Sequence, residues 1–339
     1  MTAAPSTTRV AAVGAGRMGQ GIALAFAYCG HSVSLVDLKP RSVEELSRLG
    51  QAAQSNLRRD LEFLASVDAL AGGDVDVFLQ RIRFVSEEHA AEAIAQADVL
   101  FESVPETMEA KRVGLGAISA FAQREALIAS TTSTFDANVL AGLVTYPERF
   151  ANAHWLNPAH LMPLVEVSPC AATDRLQRER LLNVLESIGK VPVVCKSSPG
   201  YIVPRIQALA MNEAARMVEE GVASAQDIDT AVRLGFGLRF AVLGLLEFID
   251  WGGGDILYYA SRNLAANLDP ARFSAPAIVE RNMHEGRRGL CDGEGFFDYR
   301  ERDVERYRRE RLAAFVALLR HRNLMPTPCV RQTPDEAEP

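Results

Sequence analysis

Along the chain the spacing of apolar positions alternates between strand-like and helix-like. Arg9–Val13 is a short apolar run with two valines, and it ends in Gly14-Ala15-Gly16-Arg17-Met18-Gly19. Ile22, Ala25, Phe26 and Cys29 then recur at helical spacing. Gly30 stands where glycine closes a helix. Ser32–Val36 is a second apolar run and leads into Asp37. The pattern predicts a strand, a glycine turn, a helix and a strand, which is a βαβ unit. Residues 41–88 read as amphipathic, charge-laced helix, with Leu46, Leu49, Leu57, Leu61 and Leu64 as its apolar positions. Strands are predicted over 98–104, 126–132, 150–156, 164–167 and 191–194, with a helix over 174–188 between the last two. Alternating strands and helices imply a mostly parallel sheet of Rossmann type.

After Ser197-Ser198-Pro199-Gly200 the pattern turns helical throughout. Ser198 suits a helix cap and Pro199 a first helical turn. Ile206, Leu209, Ala210, Glu213 and Met217 follow at helical spacing, and 222–234 and 303–321 also read as helices. The expected class is therefore α/β, with an all-α C-terminal domain. The expected divisions are a disordered N-terminus (1–8), an NAD-binding domain of Rossmann type (9–196), a helical domain for substrate and dimer contacts (197–330) and a disordered acidic tail (331–339). A length of 339 residues agrees with two domains.

Composition narrows the function. The net charge is −7 with no basic block, which argues against a nucleic-acid partner. The apolar stretch 240–249 is too short to span a bilayer and contains Glu247. Five cysteines without a C-x-x-C pair indicate neither a zinc site nor a disulfide framework, and no metal is expected. Unpaired thiols and the absence of a secretory signal point to the cytoplasm.

The glycine turn carries the first chemical signal. It follows a predicted strand and opens a helix, and an acidic residue ends the next strand. Gly14 permits the turn, Gly16 admits a pyrophosphate and Gly19 lets helix pack on strand. The helix N-terminus offers free N–H groups to the phosphates. Asp37 accepts hydrogen bonds from a ribose and repels a 2′-phosphate, which favours NAD, although Lys39 and Arg41 follow it. The second signal is a histidine and a carboxylate on neighbouring predicted strands. His154 lies in Asn152-Ala153-His154-Trp155-Leu156-Asn157-Pro158, and Glu166 sits in Leu164-Val165-Glu166-Val167. A carboxylate on an apolar strand needs a partner. An imidazole beside it has the proton affinity to take a proton from an alcohol. A strand histidine is also a common core residue, and the pattern alone leaves both roles open.

Taken together, these residues resemble the L-3-hydroxyacyl-CoA dehydrogenase family, including its lambda-crystallin and L-gulonate dehydrogenase branch. The resemblance rests on the glycine turn through Ala23, on Glu102-Ser103-Val104-Pro105-Glu106 with Lys111, and on Ala129-Ser130-Thr131-Thr132-Ser133-Thr134. It continues through His154-Trp155-Leu156-Asn157-Pro158, Glu166, Ser198-Pro199-Gly200-Tyr201 and Gly293-Glu294-Gly295-Phe296-Phe297-Asp298-Tyr299. It implies an NAD-dependent homodimer of fatty acid metabolism that oxidises the 3-hydroxyl of a substrate such as 3-hydroxybutyryl-CoA. His154 and Glu166 would form the acid–base pair, and Ser133 and Asn157 would hold the reacting oxygen or position His154. Gly14, Gly16, Arg17, Met18, Gly19, Asp37, Glu106, Lys111 and Ser133 would face the cofactor.

Departures from the family pattern bear on the substrate. Pro204 replaces an asparagine that contacts substrate, and it stands where proline would kink the predicted helix. Thr131 also replaces an asparagine. The segment 57–67 carries only Arg58 and Arg59 where acyl-CoA enzymes have lysines. Arg239, in a stretch like that of the lambda-crystallin branch, suits either a substrate carboxylate or a surface ion pair. The alternatives are a dehydrogenase of a free 3-hydroxy acid (gulonate-, carnitine- or 3-hydroxybutyrate-like) and a non-catalytic NAD-binding protein of crystallin type. Trp251-Gly252-Gly253-Gly254-Asp255 follows no strand and is expected to be a helix–helix turn.

Overall fold

A computed structural model describes residues 7–328. The tail expectation for 331–339, and most of that for 1–8, falls outside the described residues. The chain divides into two compact units, one ending at Met211 and the other beginning at Asn212.

The first unit opens with β1 (Arg9–Val13), α1 (Arg17–Tyr28), β2 (Ser32–Val36) and α2 (Val43–Ser66). It continues with α3 (Val75–Leu79), β3 (Ile82–Val85), α4 (Ala90–Gln96), β4 (Val99–Glu102) and α5 (Met108–Phe121). Then come β5 (Leu127–Ser130), α6 (Ala137–Ala141), β6 (Phe150–Trp155), β7 (Leu164–Pro169), α7 (Arg175–Ser187), β8 (Val191–Val194) and α8 (Val203–Glu219), which crosses the division. The strands form one sheet in the order β3-β2-β1-β4-β5-β6-β7-β8. All neighbours are parallel except β6 and β7.

The central strands are apolar runs because helices cover both faces of the sheet. Val10, Val33, Val99 and Trp155 pack under Ile22 and Phe26 of α1 and Leu181 and Leu185 of α7. Ala11, Val13, Leu100 and Ile128 meet Ile94 of α4, Leu115 and Ile118 of α5 and Leu140 of α6. Strand order reverses between β1 and β4, which opens a crevice at the carboxyl ends of those strands, the usual ligand position in such sheets.

The structure corrects the helical reading of 41–88. Only Val43–Ser66 is one long helix, opened by a reciprocal Ser42–Glu45 cap. Ile82–Val85 is a strand at the sheet edge. A short edge strand with the charged Arg83 in its middle carries no apolar run that would separate it from its helical surroundings. The helix expected to begin at Pro199 begins at Val203. Gly200 and Tyr201 are left-handed (φ 75° and 44°), and Tyr201 N–H closes a turn on the Ser198 carbonyl. Ser198 is therefore a turn residue. Pro204 falls in the first helical turn, where no intrahelical N–H is required, so the expected kink has no cause there.

The second unit holds α9 (Ala225–Ala231), a π-helical turn (Val232–Gly237), α10 (Leu238–Val242), α11 (Leu245–Gly252), α12 (Gly254–Asn267), α13 (Pro270–Phe273), α14 (Ala277–His284) and α15 (Val304–His321). The Gly252-Gly253-Gly254 run is the turn between α11 and α12, with Gly253 at φ 104°. The glycine-rich segment near Tyr299 wraps the buried carboxylate of Asp250, which accepts from Phe296 N–H, Phe297 N–H and Tyr299 O–H at 2.9, 2.9 and 3.2 Å. A Cβ at Gly295 would lie 2.2 Å from that carboxylate, so only glycine fits there.

Candidate active site

The crevice between β1 and β4 continues into a cleft of about 740 Å³ bordered by Gly14, Gly16, Asp37, Lys39, Ser103 and Val104. Gly14 has φ 120°, and a Cβ there would lie 2.5 Å from the Ser103 carbonyl oxygen. No side chain fits at that position. A Cβ at Gly19 would collide with the Gly14 carbonyl at 1.9 Å, so this glycine seats α1 on the turn. Gly16 has open space beside it, as close approach of a pyrophosphate requires. Asp37, almost fully buried just beyond β2, is held by the Nε of Arg41. The turn and the carboxylate thus fit a dinucleotide with a free ribose diol. Met18 packs partly against the core beneath α1. Arg17 borders a second cleft of about 510 Å³, together with Gln20, Asn56, Arg59 and Asn157.

Beside the first cleft, three charges form one network, with Glu102 and Lys111 buried and Glu106 exposed. Lys111, 1% exposed, donates to Glu102 Oε1 at 3.0 Å and pairs with Glu106 Oε2 at 3.1 Å. Glu102, fully buried at the end of β4, also accepts from Ser130 O–H and Val104 N–H. Burial pushes its carboxyl upward, against the pull of Lys111. Glu106 Oε1 accepts from Ser133 N–H, Thr134 N–H and the hydroxyls of Thr132 and Thr134. Burial acts to raise the Glu106 carboxyl, but the hydroxyl of Thr132 and the charge of Lys111 bring it down to about 2. The network anchors the Thr132–Thr134 loop to the nucleotide-binding half of the sheet. Glu106 spends Oε1 on that loop, and Lys111 spends its ammonium on Glu102 and Glu106.

His154 and Glu166 face each other directly across the antiparallel β6–β7 ladder. His154 Nδ1 lies 2.7 Å from Glu166 Oε2, and both residues are buried. The other oxygen, Oε1, accepts from the N–H groups of Ile202 and Val203, each at 2.8 Å. An ionised carboxylate only accepts hydrogen bonds, so Nδ1 carries the proton and Nε2 holds the free lone pair. The imidazole is stacked on the ring of Tyr201, with centroids 5.0 Å apart and planes 11° apart.

Residues 9–198 match the NAD-binding domain of 3-hydroxyacyl-CoA dehydrogenases, and residues 200–299 match the C-terminal domain of the same enzymes. The chain belongs to the 3-hydroxyacyl-CoA dehydrogenase family. It is accordingly an NAD-dependent oxidoreductase. The mitochondrial hydroxyacyl-coenzyme A dehydrogenase of Sus scrofa is 32% identical over 86% of this chain and 91% of its own length. The 5-formyl-3-hydroxy-2-methylpyridine 4-carboxylate 5-dehydrogenase of Mesorhizobium japonicum is 30% identical over 92% of this chain and 97% of its own. The crystal structure of a 3-hydroxyacyl-CoA dehydrogenase from Archaeoglobus fulgidus superimposes with a TM-score of 0.72 at 30% identity, covering 94% of this chain and 100% of that one. Relatives with different substrates therefore match at similar identity.

Within this dehydrogenase the remaining candidate residues are placed as follows. Ser133 is exposed on the loop held by Glu106, and its hydroxyl has no hydrogen-bond partner among the described residues. Asn157 is exposed in the second cleft, on a loop that Lys190 braces through the carbonyls of Ala159 and Met162, both at 2.8 Å. Arg239 belongs to the second unit; it lies over the Phe248 ring and forms no ion pair among the described residues. The sequence analysis passed over Glu102, Tyr201 and the N–H groups of Ile202 and Val203. Glu102 had a signal, since it ends an apolar strand just as Glu166 interrupts one. The two backbone donors had none.

Proposed function

We propose that this dehydrogenase oxidises the C3 hydroxyl of an L-3-hydroxyacyl-CoA of the 3-hydroxybutyryl-CoA class, with His154 and Glu166 as the acid–base pair. The observation that carries the reading is the 2.7 Å contact between His154 Nδ1 and a Glu166 carboxylate that two backbone N–H groups hold in place. His154 Nε2 takes the hydroxyl proton as the C3–O bond gains double-bond character. Glu166 fixes the tautomer beforehand and stabilises the imidazolium afterwards. Gly14, Gly16 and Asp37 would hold NAD⁺, which would supply the hydride acceptor for C3. Ser133 and Asn157, whose side chains have no hydrogen-bond partner among the described residues, hold the substrate oxygen. Glu106 and Lys111 serve the cofactor side by fixing the loop that carries Ser133.

A free 3-hydroxy acid is the second reading, and a specific observation favours it. In the helix where acyl-CoA enzymes present lysines, Arg58 is bound to Asp76 at 2.5 Å, and Arg59 donates to Asn56. Arg239 meanwhile remains without a counter-ion among the described residues. NADH oxidation with acetoacetyl-CoA beside acetoacetate separates the two. Turnover confined to the thioester is expected; turnover confined to the free acid would overturn the CoA assignment and make Arg239 the first carboxylate partner to replace.

The division of labour between a nucleotide domain up to 196 and a helical substrate domain from 197 is part of the same proposal, as is a homodimer. No residue of α8 is buried, and Leu209, Met211, Ile256 and Tyr259 are 72, 69, 63 and 61% exposed. Apolar surface of that extent fits a twofold contact between copies. Light scattering should give twice the mass of one chain, and a monomer at micromolar concentration would contradict it. Four described cysteines, all free, agree with a reducing cytoplasm. No helix among the described residues is long and apolar enough to cross a membrane.

A further inference from the structure

Tyr201 touches both His154 and the loop that carries Ser133. Its ring lies flat against the His154 imidazole. Its hydroxyl donates to the Thr132 carbonyl at 2.9 Å and accepts from Asn152 Nδ2 at 3.0 Å. Thr132 immediately precedes Ser133. The next two residues, Ile202 and Val203, supply the two N–H donors to Glu166. Tyr201 does this from a left-handed backbone (φ 44°), a conformation that is strained for a non-glycine residue and persists only where its surroundings hold it.

We infer that Tyr201 is a positioning residue of this enzyme: its ring orients and electrostatically supports His154, and its hydroxyl ties that base to the loop bearing Ser133. The inference rests on His154 being the base. The π-face of Tyr201 favours the imidazolium over the neutral ring, as aromatic faces favour cations. The groups that face His154 are Glu166 from β7 and Tyr201 itself, and Cys195, just beyond β8, lies near both of them. Cys195 is held as a neutral thiol by burial and then by the charge of Glu166. Burial, with Glu106 and Glu166 nearby, keeps the Tyr201 phenol well above its ordinary range, so it remains a hydrogen-bond donor at any assay pH.

The test compares Tyr201→Leu and Tyr201→Phe with wild type and with His154→Gln, in the oxidation direction. Leucine keeps the site apolar but removes the π-face. Y201L should lower kcat by about 10- to 100-fold, the scale of small misplacements of a catalytic group, with KM changed less than about threefold. The acid limb of its kcat/KM profile should move about half a unit to lower pH, because the protonated imidazole loses support. Y201F keeps the stack. Its acid limb should stay in place and its kcat fall about fivefold, the scale of one hydrogen bond. NADH binding and thermal unfolding check that each variant is folded. Where Y201L does not fold, Y201F decides: unchanged turnover there overturns the tie to the loop. A folded Y201L with wild-type kcat and an unmoved acid limb overturns the inference while leaving His154 as the base. Full activity in His154→Gln overturns the reading beneath it.

Discussion

Replacing Glu166 with glutamine should lower kcat by about 10²- to 10⁴-fold while leaving NADH affinity within a few-fold of wild type. The size follows from hydrogen-bond accounting at one buried side chain. Glu166 Oε1 already accepts from two backbone N–H groups, and Oε2 faces His154 Nδ1. A glutamine amide has one accepting oxygen. Placing its NH₂ toward Ile202 and Val203 would set donor against donor. The oxygen therefore takes that side, and the NH₂ points at His154. Nδ1 must then accept, the imidazole proton moves to Nε2, and the nitrogen that should take the substrate proton already carries one. Raising the pH does not repair a wrong tautomer, so the loss should persist across the profile. Steady-state kinetics from pH 6 to 10 check this; wild-type kcat at any pH in that range would contradict the orienting role of Glu166. Glu166→Ala should in addition cost about 3–5 kcal/mol in urea unfolding, because it leaves buried partners unsatisfied.

The same accounting explains which parts of the protein were legible from its sequence. Strands β1, β2, β6 and β8 stand out because they are apolar runs bounded by turn residues, and the glycine turn announces itself by spacing. Strand β3 does not, because an edge strand of four residues with a central arginine has no apolar signature. Glu166 was legible because a carboxylate among valines demands a partner, and His154, on the neighbouring predicted strand, was the candidate. Glu102 meets the same demand with Lys111 and Ser130, 9 and 28 residues on, and Asp250 with partners far along the chain. Those of Asp250 lie 46 to 49 residues away. Tyr201 was quoted only as part of a motif, and its contacts to Asn152 and Thr132 span 49 and 69 residues. No local pattern encodes them. The start of α8 was misread for a local reason: Gly200 and Tyr201 are left-handed, which delays the helix to Val203 and turns Pro204 from a kink into a first-turn residue.

The second large effect concerns the base itself. His154→Gln removes the only side chain at the β6–β7 ladder whose unperturbed proton affinity lies near neutrality, yet it preserves a side chain able to donate to Glu166. General acid–base catalysis contributes about 10²- to 10⁴-fold, and hydride transfer without proton removal leaves a charged carbonyl product with nothing to receive its proton. The variant should therefore lose at least about three orders of magnitude in kcat. The cofactor cleft, built from Gly14, Gly16 and Asp37, is untouched, so NADH binding should be retained.

The most direct measurement is single-turnover oxidation of bound NADH by acetoacetyl-CoA, in wild type and His154→Gln, followed by nicotinamide absorbance with cofactor occupancy measured in the same samples. The account predicts full NADH occupancy in both proteins, rapid oxidation in wild type, and a rate in the variant lower by about 10³-fold or more. Oxidation of NADH by His154→Gln at the wild-type rate would contradict it.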